Sequence, residues 1–256
     1  MMKTLLNATL LAAVLCSGSP AALSAEATSE SRSVDARTVQ IKLDGAIHLK
    51  VRQGPVASLT LYGTPEAMAK VTLEQSGEQL RIDSGKRSSI TFGRKDDLRA
   101  ELTLPQLNQL VSGGVGSSEV QGFNGDKLRL RLLGAGSIKV NAQYRHVDVT
   151  LGGVGSMTVN TGNSDNVDLH LNGAGRIEMI GQTKLLNARL GGIGSLDAQQ
   201  LRAETVDVNL TGLGSASVHA NTNATLNLSG LGSATVYGKP TNRQAHSSGL
   251  GSVSWQ

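Results

Sequence analysis

A four-residue element, glycine–apolar–glycine–serine, recurs through the C-terminal half of the chain. It reads Gly114-Val115-Gly116-Ser117, Gly134-Ala135-Gly136-Ser137, Gly153-Val154-Gly155-Ser156 and Gly173-Ala174-Gly175-Arg176. It continues as Gly192-Ile193-Gly194-Ser195, Gly212-Leu213-Gly214-Ser215, Gly230-Leu231-Gly232-Ser233 and Gly249-Leu250-Gly251-Ser252. The fourth positions are spaced by 20, 19, 20, 19, 20, 18 and 19 residues. A steady period of this size with small jitter marks a solenoid, in which each repeat is a coil that stacks on its neighbour.

Between the glycine elements the apolar residues alternate, as in "VDVNL" (206–210), "VDLHL" (167–171) and "LRLRL" (128–132), with a second short strand after the glycines, as in "SIKV" (137–140). Alternation bounded by glycine is a strand signal. Two short strands per coil leave no room for a helix. Aligning the coils gives apolar columns: Leu132, Leu151, Leu171, Leu190, Leu210, Leu228; then Leu130, Val149, Leu169, Ala188, Val208, Leu226; then Ile138, Met157, Ile177, Leu196, Ala216, Ala234, Val253. The residue between the glycines is apolar in every coil and is expected to form a fourth inward ladder. These columns predict an all-β, right-handed parallel β-helix with coils about 4.8 Å apart, so that eight coils span roughly 38 Å.

In this scheme Gly116, Gly136, Gly155, Gly175, Gly194, Gly214, Gly232 and Gly251 mark a tight corner, where a positive φ or a missing Cβ is useful. The serines are expected to satisfy turn backbone groups. A nucleophile would be unique and would have a base beside it. Seven equivalent serines with Arg176 in the eighth place point instead to structure.

The ends divide the chain. Residues 1–25 read as a secretory signal: Lys3, an apolar run from Leu5 to Leu15 too short to span a bilayer, then small residues. Cys16, the single cysteine, follows Leu15 where a lipoprotein cleavage site wants a small residue, so it is expected to leave with the signal. Without disulfides an exported chain must be held by its core. About 230 mature residues suffice for one substantial domain. Residues 26–35 read as a flexible N-terminus, 36–105 as a β-rich part that caps the open end of the helix, and 106–256 as the repeat. The stretch from Ser84 to Asp97 is the most charged and reads as an exposed hairpin or loop. The formal net charge is +4, with basic and acidic residues interspersed, which argues solubility and offers no nucleic-acid motif. No membrane-length apolar run follows the signal.

The chain resembles the auto-transporter adhesin head domains, also called GIN domains, of secreted bacterial proteins. The resemblance runs from about Val39 to the C-terminus. It rests on "IHLKVRQG" (47–54), "LTLYG" (59–63), "LTLPQLNQLVSGGVGS" (102–117) and the repeating corners. It implies an exported β-helical domain with no established activity and carries over no catalytic residue. One departure is that the chain stops at Gln256 with no outer-membrane barrel behind it, so self-export is not expected.

The motifs exclude most chemistry. There is no GxxxxGK[ST], and no GxGxxG following a strand. The stretch nearest a calcium nonapeptide, Gly191 to Leu196, has leucine where aspartate is needed, and no zinc pattern is present. No cofactor is expected. The best candidate surface is a pair of outward columns carrying Arg129, Asp148 and Asp168 beside Arg131, His170 and Arg189. Asp148 and Asp168 on neighbouring rungs would have the separation of a glycosidase pair or a metal site. On a solvated face Arg129 would simply offset Asp148. The expected function is therefore a non-catalytic envelope or extracellular module that binds a glycan, polymer or protein surface. A polysaccharide lyase or hydrolase on the same face, and a self-assembling structural protein that pairs edge to edge through the coil ending at Trp255, are the alternatives.

Overall fold

The computed structural model describes residues 28–85 and 98–256. The signal segment 1–25 and most of the charged stretch 84–97 lie outside the described residues. Before the repeats come β1 (Thr28–Arg32), β2 (Gln40–Asp44), β3 (His48–Gln53), β4 (Ser58–Gly63), α1 (Pro65–Ala69), β5 (Thr72–Ser76), β6 (Gln79–Asp83), β7 (Arg99–Leu104) and β8 (Gln109–Ser112). The coils themselves are β9 (Val115–Leu132), β10 (Ala135–Leu151), β11 (Val154–Leu171), β12 (Ala174–Leu190), β13 (Ile193–Leu210) and β14 (Leu213–Leu228). The last are split into β15 (Leu231–Tyr237), β16 (Asn242–Ser247) and β17 (Ser252–Trp255).

The molecule is a parallel β-solenoid, each coil hydrogen-bonded to the next in register. Leu132 pairs with Leu151, Leu151 with Leu171 and Leu171 with Leu190, and Ile138 pairs with Met157 and Met157 with Ile177. The three strand columns read from the sequence are therefore inward ladders, and they are buried together with two more, which begin at Val120 and Leu128. One apolar cluster runs from Ile41 to Val236, and aliphatic side chains supply nearly all of it.

The fourth column is reversed. Val115, Val154, Ile193 and Leu231 are 55–62% exposed, Leu213 is 46% and Leu250 is 88% exposed. The residue between the glycines points into solvent. The glycines themselves take the inward positions. A Cβ on Gly153 would collide with the Gly134 carbonyl oxygen, and one on Gly155 with that of Gly136. At this corner the stacked backbones are too close for any side chain, so glycine is required for space as much as for its φ of +146° at Gly155. The serines beside it do not satisfy the turn. Those groups bond rung to rung instead, Val154 N–H to Gly134 C=O at 2.9 Å and Ala174 N–H to Gly153 C=O at 2.9 Å.

Residues 36–105 are in large part rungs of the same stack, placed out of sequence order. β2 lies between β6 and β8, and β3 lies between β7 and β9, all parallel. The chain lays down β2–β3, travels outward through β4, α1 and β5, returns as β6–β7, and crosses to the far side of β2–β3 to begin β8–β9. The antiparallel partners β4 on β7 and β5 on β6 form the outer end. Residues 28–32 within the expected flexible N-terminus are a strand, β1, antiparallel to β4. Helix α1 is one short turn, started by Thr64, whose side chain accepts from Ala67 N–H, and by Pro65 in the first turn.

Two stability predictions follow from the ladders. Gly155→Ala should destabilise by at least about 2 kcal/mol, while Gly191→Ala, whose added Cβ meets nothing nearer than 3.5 Å, should change stability by less than about 0.5 kcal/mol. Denaturant melts of the two variants would show it, and equal stabilities would refute the corner. Ser118 is buried between Leu49 and Ile138 in an apolar column and its hydroxyl has no partner. Ser118→Ala should raise stability by about 1 kcal/mol; a loss would mean the hydroxyl is bonded.

Candidate functional site

The strand from residue 166 to 171, and its equivalents, alternates strictly, so burying Val167, Leu169 and Leu171 turns Asp168 and His170 outward. Register then assembles two polar columns. One runs Gln79, Gln40, Gln109, Arg129, Asp148, Asp168, Asn187, Asp207, Thr225, Gln244. The other contains Arg131, Thr150, His170, Arg189, Asn209, Asn227 and His246. All six residues expected on a ligand face lie on this surface. Asp148 sits between Arg129 and Asp168, and His170 sits beside Arg189, with Arg131 two rungs from His170. Three further rungs, Gln79, Gln40 and Gln109, extend the first column through the N-terminal part.

Two of the three carboxylates in the first column, Asp148 and Asp168, are engaged by their neighbours. Arg129 Nε donates to Asp148 Oδ2 at 3.3 Å, an ion pair about a third exposed on the arginine side. Asp168 accepts twice, from Asn187 Nδ2 at 3.0 Å and from Asn166 Nδ2 at 2.6 Å. Asn166 Oδ1 is itself buried without a partner. Asp148 and Asp168 are thus adjacent rungs held by different groups. No cluster of three His, Cys, Asp or Glu suited to a metal ion occurs among the described residues.

The face opens at its N-terminal end into a polar hollow of about 580 Å³ lined by Gln40, Gln106, Asn108, Gln109, residues 124–127 and Arg129. Reading the sequence found only Arg129 there. The missing signal is long-range: Gln40 reaches Gln109 only because β2 is inserted beside β8. The alternation of "TVQIKL" (38–43) turns Gln40 outward, but nothing local names its neighbours.

A family model described as "Putative auto-transporter adhesin, head GIN domain" matches residues 39–240. The chain belongs to this family. The GIN domain's solenoid is similar to three solved structures. A putative adhesin from Parabacteroides distasonis is 20% identical, with a TM-score of 0.78 over 91% of this chain and 98% of that one. A putative adhesin from Parabacteroides merdae is 17% identical, with a TM-score of 0.80 over 90% of this chain and 96% of that one. A protein from Parabacteroides distasonis described as a putative lipid binding protein is 18% identical, with a TM-score of 0.76 over 89% and 96%. At these identities the likeness is one of fold. No curated protein matches the chain. No helix among the described residues is long and apolar enough to cross a membrane.

The GIN domain carries a second charged string at the corner opposite the glycines. Arg145 reaches Asp165 at 2.9 Å and Asp126 at 3.5 Å, and Lys184 reaches Asp165 at 2.7 Å. The Lys184 ammonium, and after it the Arg145 guanidinium, hold the Asp165 carboxyl below its ordinary value. A lowered carboxyl contributes its stabilisation in full above the ordinary carboxylate range and loses it as pH falls through the lowered value. The string is largely exposed, so this share is small. Replacing Lys184 by methionine should move the Asp165 titration up toward 3.8, as read by NMR through the side-chain carboxyl. An unmoved titration would show that Lys184 is not its partner in solution.

Proposed function

We propose that this GIN domain is an exported, non-catalytic binding module whose polar face docks on an envelope or extracellular polymer, with glycans the leading ligand class. The observation that carries the reading is the ten-rung column from Gln79 to Gln244, in which Asp148 and Asp168 are already held by Arg129, Asn166 and Asn187. Amides, hydroxyls and charges repeat there about every 4.8 Å on a backbone that cannot rearrange. Such a comb is preorganised for an extended polymer and loses little entropy on binding. Arg131 and Arg189 project from the neighbouring column as planar donors suited to carboxylate or phosphate groups on the ligand. General acid–base catalysis would ask for a free carboxyl poised beside a substrate bond, and both oxygens of Asp168 already accept amide hydrogens. The family's description as an adhesin head supports attachment to a surface and an exported setting.

The test is an array of glycans and cell-envelope polymers probed with the purified chain, read for retention and for product release together. Retention without product, weakened at least about tenfold by replacing Arg131, His170 and Arg189 together with serine, is the expected result. Product release that disappears in Asp168→Asn would make the face a catalytic site and overturn the proposal.

A further inference from the structure

The exposed column between the glycines is a surface that the fold does not explain. It is a straight stripe of eight apolar side chains, from Val115 to Leu250, with five of the large ones 46–62% exposed and Leu250 88% exposed. Both flanking columns are glycine, the next column on one side is serine in seven of eight coils, and on the other side it is Gly113, Leu133, Gly152, Asn172, Gly191, Thr211, Ser229 and Ser248. Across this five-column ribbon Arg176 is the single charged residue. Depletion of charge around an apolar centre is the compositional mark of an interface core, and a continuous exposed apolar patch of this kind marks a contact site. At its C-terminal end the ribbon is a trough of about 580 Å³, floored by Gly192, Gly212, Gly230 and Gly249, with Ile193, Leu213, Leu231 and Leu250 as its apolar wall.

We propose that this ribbon is a self-association surface, through which two copies pack side by side and antiparallel about a two-fold axis. The first argument is spacing. The column repeats at the rung distance of about 4.8 Å, and a second stack of the same coils repeats at that distance along its whole length. A bound β-strand lying along the axis repeats its same-face side chains at about 6.7 Å and falls out of step within two residues. The second argument is size. Antiparallel alignment sets the first coil against the eighth, and the column then pairs Val115 with Leu250, Ala135 with Leu231, Val154 with Leu213 and Ala174 with Ile193. Each smaller residue of the N-terminal half meets a larger one of the C-terminal half, which is the complementarity an isologous two-fold contact needs. A parallel alignment sets alanine on alanine and leucine on leucine. The third argument is area. Eight rungs by five columns cover about 600 Å² per copy, near the lower bound for a specific interface, so the dimer is a reversible one. With the axis normal to the plane of the two stacks, the Asp168 faces of both copies look to the same side. A polymer lying there would meet two combs instead of one, and binding would gain avidity.

Sedimentation equilibrium of the processed chain over a wide concentration range tests association. A monomer–dimer equilibrium is expected, and Ile193→Asp with Leu213→Asp should raise its dissociation constant by more than about tenfold, because each aspartate is desolvated opposite an apolar partner. Both positions are solvent-exposed, so the variant should keep the parent's circular dichroism and melting temperature. Orientation is read by cysteine pairing in a chain with no thiol other than those introduced. Ala135→Cys with Leu231→Cys places the two thiols about 24 Å apart within one chain, far beyond disulfide reach, but opposite each other between antiparallel copies. Mild oxidation should give a covalent dimer with the double variant and none with either single variant. A monomer at every concentration overturns the proposal, as does a dimer that survives the two aspartates or a cross-link formed by Ala135→Cys alone. So does a monomeric chain that floats with phosphatidylethanolamine–phosphatidylglycerol vesicles and is released by the two aspartates, since the ribbon's occupant would then be a lipid surface.

Discussion

The structure depends on one close approach: the backbone of each coil passes over the carbonyls of the coil before it at the glycine corner. At Gly153 and Gly155 the neighbouring carbonyl oxygen occupies the space a Cβ would take. That contact lets the chain turn between its two strand faces within a few residues and still hydrogen-bond rung to rung. Once the corner repeats, the columns of the two strands that flank it are fixed, because each residue there stands above its counterpart one coil away. The aliphatic ladders and the polar columns are consequences of this register, while the opposite corner, which carries the charged string at Asp165, takes up the differences in coil length as register shifts.

The repeat, the strands and the inward ladders were legible because side-chain direction in a strand has a period of two and coil length has a period near nineteen. Both are written locally. The misreading of Val154 and its equivalents shows where hydrophobicity misleads. Counting by twos from Leu151 passes through Gly153 and Gly155 to Met157, so alternation continues unbroken around the corner and places Val154 outside. Its apolar character suggested burial, but its parity was correct. The glycines hold the inward positions because there is no interior left at the corner to fill.

The N-terminal part was legible as strands and not as rungs. β2 and β3 carry the same alternation as the coils, with Ile41, Leu43, Leu49 and Val51 buried. Nothing local says that they sit between β6–β7 and β8–β9, since those pairings join strands far apart in sequence. The polar hollow beside Arg129 was hidden for the same reason. Its amides come from residues 40, 106, 108, 109 and 124, which only this permuted stacking brings together.

Comparison of the outward columns with one another adds a constraint that the fold alone does not impose. The column through Glu119, Lys139, Thr158, Glu178 and Asp197 changes sign and chemistry from coil to coil, as does the column through Arg129, Asp148, Asn187 and Thr225. An outward position in a solenoid tolerates such variation because nothing packs on it. The position between the glycines is outward too, yet it is Val, Ala, Ile or Leu in all eight coils. Solvent exposure of that many aliphatic groups costs solubility and gains nothing for the isolated coil stack, whose corner is satisfied by glycine and backbone alone. A uniform choice at a structurally free position is best explained by a contact outside the chain, whereas the variable polar columns carry chemistry that the stack merely displays. Under the two proposals the division of labour is geometric: the corner ribbon would face a second copy, and the face carrying Asp168 and His170 would stay open to a ligand.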